Sequence, residues 1–396
     1  MNPSQSTNHP RRKPLSANLC TLIVIGLLGI SLGVAAAEEP TQLRVLPAAN
    51  LPRFKITDQD WPAQPGEASV CLWRDDKVAA VTVTIDDNAA SDQAWWLAQG
   101  QKYGFHFTWF VISGRIGSGR AFDGTWDDLA KLRAAGHDVQ SHTVDHFSPQ
   151  SGATTLPTDD NYRQSIEQIQ SHLPGARVLT LAYPGGSNGR NDMQLAGKYY
   201  IAARGLHSVV NPANQINYLN VDCMVRAAPI DAQSSTGLPN LIDPHSKYPQ
   251  AYRGWACMIF HGLENVKLVE LRVKESIVTL FDYLSANKDS FWVGTFTEVA
   301  QYAEERDSAT LKSAAIDGKT IRLTLTDRMD DHLFDAPLTI KIRSNTAWSK
   351  ATARQADHDI PVSTIDHNGA RYLLLGVVPD RGEVVVTGSP GENGKN

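Results

Sequence analysis

Cysteine is scarce: four in 396 residues, Cys20, Cys71, Cys223 and Cys257. Such a count excludes a disulfide-built scaffold, and the spacing excludes a zinc knuckle. Beyond residue 37 only three remain, so at most one disulfide can form and one thiol stays unpaired. No Gly-x-Ser-x-Gly elbow occurs, which disfavours a serine hydrolase. Internal repeats and low-complexity tracts are absent. Positive charge is not in excess, with 37 Lys and Arg against 42 Asp and Glu and a net charge of -5. An acidic chain of this kind is not a general nucleic-acid binder. What is present, 42% hydrophobic and 20% charged residues, is the composition of a folded protein with one large domain and one small one.

One long apolar run exists, Leu19 to Val34, preceded by Arg11, Arg12 and Lys13 and followed by Ala35-Ala36-Ala37. At roughly 16 residues it falls short of the about 20 that span a bilayer. Residues 1–37 are therefore predicted to be a signal peptide cleaved after Ala37. Its removal moves the net charge from -5 to -8 and leaves no stable membrane insertion; the predicted location is periplasmic or extracellular. Cys20 lies inside the run and is not read as a lipid-attachment site.

Residues 38–70, with Pro40, Pro47, Pro52, Pro62 and Pro65, read as an extended lead-in against the domain. From residue 71 to 308 strand and helix patterns take turns. Strands are expected at Val78–Ile85, Phe105–Ile112, Val178–Ala182, Ile201–Ala203, Trp255–Phe260 and Phe291–Val293, with helices at Ser91–Tyr103, Thr125–Ala135, Asp159–Ser171 and Leu268–Ala286. Such alternation implies a parallel sheet or barrel with its active site at the strand C-terminal ends. Residues 309–396 alternate apolar and polar without a long helix and read as a small all-β unit, with a hairpin turn at 316–320 and a polar, disordered tail at 388–396. Trp348 and Tyr372 are its candidate exposed aromatics. Without an aromatic cluster at strand spacing, packing on the barrel is the favoured role.

The chemistry-bearing residues follow apolar strands. Thr84-Ile85-Asp86-Asp87-Asn88 delivers two adjacent carboxylates that extended backbone points to opposite sides. Ser141-His142-Thr143-Val144-Asp145-His146 places two imidazoles four apart, on one face if the backbone turns helically after Gln140. One carboxylate and two imidazoles leave a divalent metal open positions for water and substrate. Tyr183-Pro184-Gly185-Gly186 is a turn whose amides could approach an oxyanion. Phe260-His261-Gly262 puts a titratable group at the strand end, and Asp222 could orient His261 or cap a turn.

Together, Thr84 to Asn88, His142-Thr143-Val144-Asp145-His146, Tyr183 to Gly186 and Phe260-His261-Gly262 resemble the motifs of the polysaccharide deacetylases, carbohydrate esterase family four, over about residues 75–300. The resemblance implies a distorted (β/α) barrel of about seven strands that removes N- or O-acetyl groups from sugars with a divalent metal. The metal implied is most often Zn2+, with Co2+, Ni2+ or Mn2+ possible. It implies Asp87, His142 and His146 as ligands, Asp86 as general base, His261 as general acid, and the amide after Pro184 at the oxyanion. The substrate implied is an acetylated oligo- or polysaccharide. Alternatives are an O-acetyl esterase on a polysaccharide such as xylan, hydrolysis of a non-sugar amide, or a non-catalytic carbohydrate-binding protein on the same scaffold. Two positions depart from the family: Asn88 stands where glycine is usual, and Ala182 where an arginine usually contacts the base. Arg204 and Arg226 are the candidates to replace that arginine.

Overall fold

The computed structural model describes residues 42–47, 56, 58–146, 159–186, 189–224, 231–263 and 273–390. The predicted signal peptide, Cys20, Arg226 and the start of the helix expected from Leu268 lie outside them. Among the described residues no helix is long and apolar enough to cross a membrane.

Strand β1 (Ala68–Val70) precedes a run of alternating elements. These are β2 (Ala79–Asp86), α1 (Gln93–Tyr103), β3 (Thr108–Val111), α2 (Trp126–Ala134), β4 (Asp138–Ser141), α3 (Asp159–His172) and β5 (Thr180–Ala182). The run continues with α4 (Arg190–Ala196), β6 (Ala202–Arg204), α5 (Pro239–Ile242), β7 (Trp255–Phe260), α6 (Val273–Ala286), β8 (Phe291–Val293) and α7 (Phe296–Ser308). The seven strands β2 to β8 form one parallel sheet in the order β6-β5-β4-β3-β2-β7. Along one edge of β2, β8 pairs its first half and β3 its last residues, while β7 takes the other edge. Between β6 and β7 the sheet lacks a strand, and single bridges from Val221 to Arg204 and from Met224 to Met258 span the gap. The chain is thus a distorted (β/α) barrel whose closure rests on residues 221–224.

Period-2 alternation sorts the strand residues between two apolar clusters. Val81, Val83, Ile85, Trp109, Val111, Val139, Leu181, Ala203, Met258 and Phe260 pack outward with helix residues such as Trp96, Leu129, Ile169 and Phe281. Ala80, Phe110, Ala182, Ala202, Trp255, Cys257 and Ile259 face inward. Strand β2 is buried at all eight positions because both its faces are covered, the pattern of a parallel sheet. Counting on by two from Ala80, Ala202 and Ile259 reaches Asp86, Arg204 and His261, and His142 lies three residues beyond the outward-facing Val139, so parity sends all four side chains into the barrel mouth.

The inward cluster continues through α7 into the C-terminal sheets. The strands there are β9 (Thr310–Asp317), β10 (Thr320–Thr326), β11 (Leu338–Arg343), β12 (Trp348–Gln355), β13 (His358–Ile360), β14 (Val362–His367), β15 (Ala370–Val377) and β16 (Val384–Pro390). They form two antiparallel sheets, β1-β11-β15-β14 and β13-β12-β16-β10-β9, the sandwich-like unit expected. Its alternation is plain in β10, where Ile321, Leu323 and Leu325 are buried and the residues between them are not. Helix α7 starts at a reciprocal cap: Thr295 Oγ1 accepts from the Glu298 amide at 3.2 Å, and Glu298 Oε2 accepts from the Thr295 amide at 2.9 Å. Such a box stabilises a helix start by about 1 kcal/mol.

Several expectations change. Strand β1 was read as lead-in, yet it pairs in register with β11 about 270 residues later. Helix α7 was not foreseen, although Thr295-Phe296-Thr297-Glu298 carries a capping-box signature. Residues 388–390 of the expected tail belong to β16, and the rest of it lies outside the described residues. Trp348 and Tyr372 are buried rather than exposed, at 6% and 2% of their full accessibility. Cys71, Cys223 and Cys257 are all free and buried.

Candidate active site

The last residue of β2 is Asp86, which parity turns inward and which is 2% exposed. The next residue would point away on an extended chain. Asp87 instead takes φ +68°, and Asn88 follows at φ +63°. This left-handed turn brings the second carboxylate back to the mouth. Asparagine tolerates that region better than most residues, which is how Asn88 fills a place where glycine is usual. Its side chain is tied down too, donating to the Asp123 carbonyl at 2.8 Å and accepting from Gln93 at 2.7 Å.

The histidine loop after β4 is built differently from the helical turn expected. Thr143 and His146 both have positive φ, +67° and +60°, so the chain folds through a compact non-helical turn. The outcome for the imidazoles is the same, and their ring centroids lie 4.9 Å apart. The loop is stitched to the loop after β3 by Ser113 N to Thr143 O at 3.0 Å and Gly114 N to Val144 O at 2.9 Å. The carbonyl of Val144 would lie 2.6 Å from a Cβ at position 114, so only glycine fits there. Below it a buried hydroxyl network joins Ser141 to Ser165 at 2.8 Å and to Tyr200 at 2.9 Å.

Asp87 Oδ1 lies 3.6 Å from His142 Nε2 and 3.5 Å from His146 Nε2. These three ligand atoms lie within 4.8 Å of one another. His142 Nδ1 sits 2.8 Å from the Ala182 carbonyl, to which it donates, so its Nε2 lone pair faces the carboxylate. Burial holds His142 below the usual imidazole range despite the carboxylates of Asp86 and Asp87, which keeps it in the neutral, ligating form. Asp87 Oδ1 is buried with no hydrogen-bond partner. An orphaned carboxylate oxygen between two imidazole nitrogens fits a divalent cation with open coordination positions.

Asp86 is set apart by its partner, the guanidinium of Arg204, which binds its Oδ2. Arg204 ends β6, and β5–β6 register places it directly opposite Ala182. The position that lacks an arginine is thus covered from the neighbouring strand. Burial opposes ionisation of Asp86, but Arg204, with His142 and His261, outweighs it and holds the carboxyl below its usual range. Its other oxygen, Oδ1, is buried and without a partner. His261 follows Phe260, the register partner of Ile85, and so stands level with Asp86 across the β2–β7 pair, exposed to solvent. Asp92 fixes that loop by accepting the Leu263 amide at 2.6 Å. Asp92 was not read from the sequence, whereas Arg204, one of the two candidates to replace the missing arginine, is the one that reaches Asp86; it carries the same signal as the other site residues, a charged group ending an apolar strand.

Two sequence expectations are revised. Asp222 does not orient His261; its Oδ1 lies 2.5 Å from Nδ1 of His207, because residues 221–224 run beside β6 and its following loop. Tyr183 is buried and its hydroxyl donates to the Leu219 carbonyl at 2.9 Å, so its ring is a packing element. Pro184 is buried, while Gly185 and Gly186 take φ +65° and +67°, forming the tight turn expected after β5.

Residues 74–203 match the polysaccharide deacetylase family model. The chain is 38% identical over 377 residues to a gellan lyase from a Bacillus species, an alignment covering 89% of this chain and 15% of that protein. Among solved structures, a polysaccharide deacetylase from Bacillus cereus shares 18% identity at a TM-score of 0.31, over 36% of this chain and 46% of the other. A domain of a multidomain xylanase from the hindgut metagenome of Trinervitermes trinervoides shares 15% identity at a TM-score of 0.34, over 56% and 90%.

Proposed function

We propose, from the premise that residues 74–203 form a polysaccharide deacetylase domain, that this chain is an exported hydrolase removing N-acetyl groups from an acetylated glycan. The observation that carries the reading is the paired arrangement of Asp86 and Asp87. One carboxylate is bound by a buried arginine, the other is orphaned between two imidazoles. A carbohydrate-binding scaffold needs no such division. Asp87, His142 and His146 would hold a divalent cation, Zn2+ foremost, which when bound acidifies water and polarises the acetyl carbonyl. Asp86, ionised and with Oδ1 free, takes the proton of the attacking water. His261, on the strand beside Asp86 and open to solvent, gives a proton to the leaving amine. An acid and a base on opposite sides of the reacting carbon contribute about 10²- to 10⁴-fold each. The turn Tyr183 to Gly185 supports the acetyl oxygen through the amide after Pro184.

The chain spans about 15% of the length of the gellan lyase it matches, and the lyase reaction of that protein is not transferred. That relative's name favours a polysaccharide over a peptide as substrate. The second enzyme reading, an O-acetyl esterase, uses the same residues with an alkoxide as leaving group. Acetate release from N-acetylglucosamine oligomers, peptidoglycan fragments and acetylated xylan decides between them. Release from the first two supports the N-deacetylase, release from xylan alone supports the esterase, and metal bound without release from any substrate contradicts both.

A further inference from the structure

Asp86 and Asp87 have nearly the same reach to His142. Oδ2 of Asp86 lies 3.7 Å from its Nε2 and Oδ1 of Asp87 lies 3.6 Å from the same atom. By its distance to His142 Asp86 is as near as Asp87, but only Asp87 also reaches His146, at 3.5 Å, so the second carboxylate stands one side-chain movement away from the ligand cluster. Their partners differ. Asp87 Oδ1 has no hydrogen-bond partner, whereas Asp86 Oδ2 is taken by Arg204.

Arg204 is itself held through both terminal guanidinium nitrogens, while its Nε is buried without a partner. Its side chain is 1% exposed, one guanidinium nitrogen lies 3.5 Å from the Gly205 carbonyl and 3.6 Å from Cys223 Sγ, and the Phe110 ring centroid lies 5.5 Å from its central carbon. Its backbone is fixed on both edges, by pairing with Ala182 and by the bridge to Val221. A buried arginine with a planar donor fork and no freedom to swing is a rigid clamp. Among the described residues Glu304, Glu305 and Asp92 are buried with no cation in salt-bridge range, so this pairing is not a general consequence of burial.

We propose that Arg204 is a positioning residue that keeps Asp86 out of the metal's ligand set. The inference rests on the metallohydrolase reading above. By occupying Oδ2, Arg204 leaves Asp86 only Oδ1, which is buried and unpartnered and therefore serves the attacking water. Without the clamp, Asp86 turns toward the imidazoles and becomes a further oxygen ligand. The site then binds metal better and works worse, because its base has been spent on coordination.

The test needs no substrate. The mature protein and Arg204→Gln are stripped, loaded with Co2+, and compared by visible absorption and by Zn2+ affinity in competition with a chelating dye. The expected result for Arg204→Gln is weaker Co2+ bands, as a higher coordination number gives, and about tenfold tighter Zn2+ binding, the size of effect typical of residues behind a ligand shell. On an acetylated glycan the same variant loses kcat by about 10²-fold while KM stays within about twofold. An arginine that merely fills space would give the opposite sign, a loosened site and weaker metal binding. In the Asp86→Asn background, adding Arg204→Gln leaves the Co2+ spectrum unchanged, since no carboxylate remains to move. An unchanged spectrum in Arg204→Gln, or a shift that persists in the Asp86→Asn background, overturns the proposal. Arg204→Ala serves the same comparison where Arg204→Gln does not fold. A wild-type protein that releases no acetate sinks the deacetylase reading and leaves the spectral result standing on its own.

Discussion

The barrel mouth and the seam between barrel and sandwich both bury carboxylates, and they treat them in opposite ways. At the mouth Asp86 is 2% exposed, and Arg204 keeps it ionised below the usual carboxyl range. At the seam Glu304 and Glu305 on α7 are both 0% exposed. Burial pushes Glu305 up to about 9 and Glu304 well above its ordinary value. Each keeps one oxygen for a backbone amide, Leu46 to Glu304 at 2.8 Å and Ala336 to Glu305 at 3.2 Å. Equal burial therefore gives a charged base in one place and neutral acids in the other. The partner decides: a fixed guanidinium outweighs desolvation, whereas a single amide does not. The mouth spends stability on a charge that can react, and the seam holds uncharged side chains, each anchored by one backbone amide with its other oxygen buried and unpartnered.

The strongest way to sharpen this contrast is to remove ligand and base separately. His142→Ala is expected to lose both metal and turnover, while Asp86→Asn keeps the metal at full stoichiometry and loses about 10³-fold or more in kcat. Elemental analysis beside acetate release reads both; equal metal loss in the two variants would erase the division of labour between adjacent carboxylates. His261→Gln comes next, with metal retained and kcat lower by about 10²-fold on an amide substrate. A smaller drop on an ester, whose leaving group needs less protonation, would place His261 as the acid.

The seam makes the opposite kind of prediction. Glu305 binds a proton in the folded chain up to about pH 9 but releases it near its ordinary value of 4.5 when unfolded. The unfolded state therefore holds fewer protons between those limits, and stability falls as pH rises, by up to about 1.4 kcal/mol per pH unit for one group. Glu305→Gln removes that slope, which urea unfolding at pH 5, 7 and 9 would record. An unchanged slope would mean that Glu305 is ionised in place and that burial does not set the seam. The smallest expected effect is at the mouth: Asn88→Ala loses two side-chain hydrogen bonds and an αL-tolerant residue, costing about 2 kcal/mol. Thermal melts measure it, and Asn88→Gly, which keeps the backbone freedom, should cost less.

The sequence reading reached the site because a strand buried on both faces is written as an apolar run, and its abrupt polar end is visible without a structure. Asp86, Asp87, His142 and His261 are legible in this way, as are β7 and β8 to the residue. What was not legible depends on register between distant segments. Arg204 could be named beside Arg226 but not chosen, because it meets Asp86 across 118 positions and only the β5–β6 pairing puts it beside Ala182. Asp222, offered as a partner of His261 or as a turn cap, meets His207 instead, because nothing local says that residues 221–224 fill a gap in the barrel. Strands β12 to β14 are hard to read locally because their burial is irregular, so period-2 patterning is weak. The left-handed turn at Thr143 was invisible because a β-branched residue does not announce positive φ.

The most direct test of the central claim is acetate release from an acetylated glycan by the mature protein, first stripped with chelator and then titrated with Zn2+ or Co2+. The account predicts no release from the stripped protein and a rate that rises in proportion to bound metal, levelling at one ion per chain. Full activity after stripping, or one bound ion per chain with no release from N- or O-acetylated substrates, would contradict it.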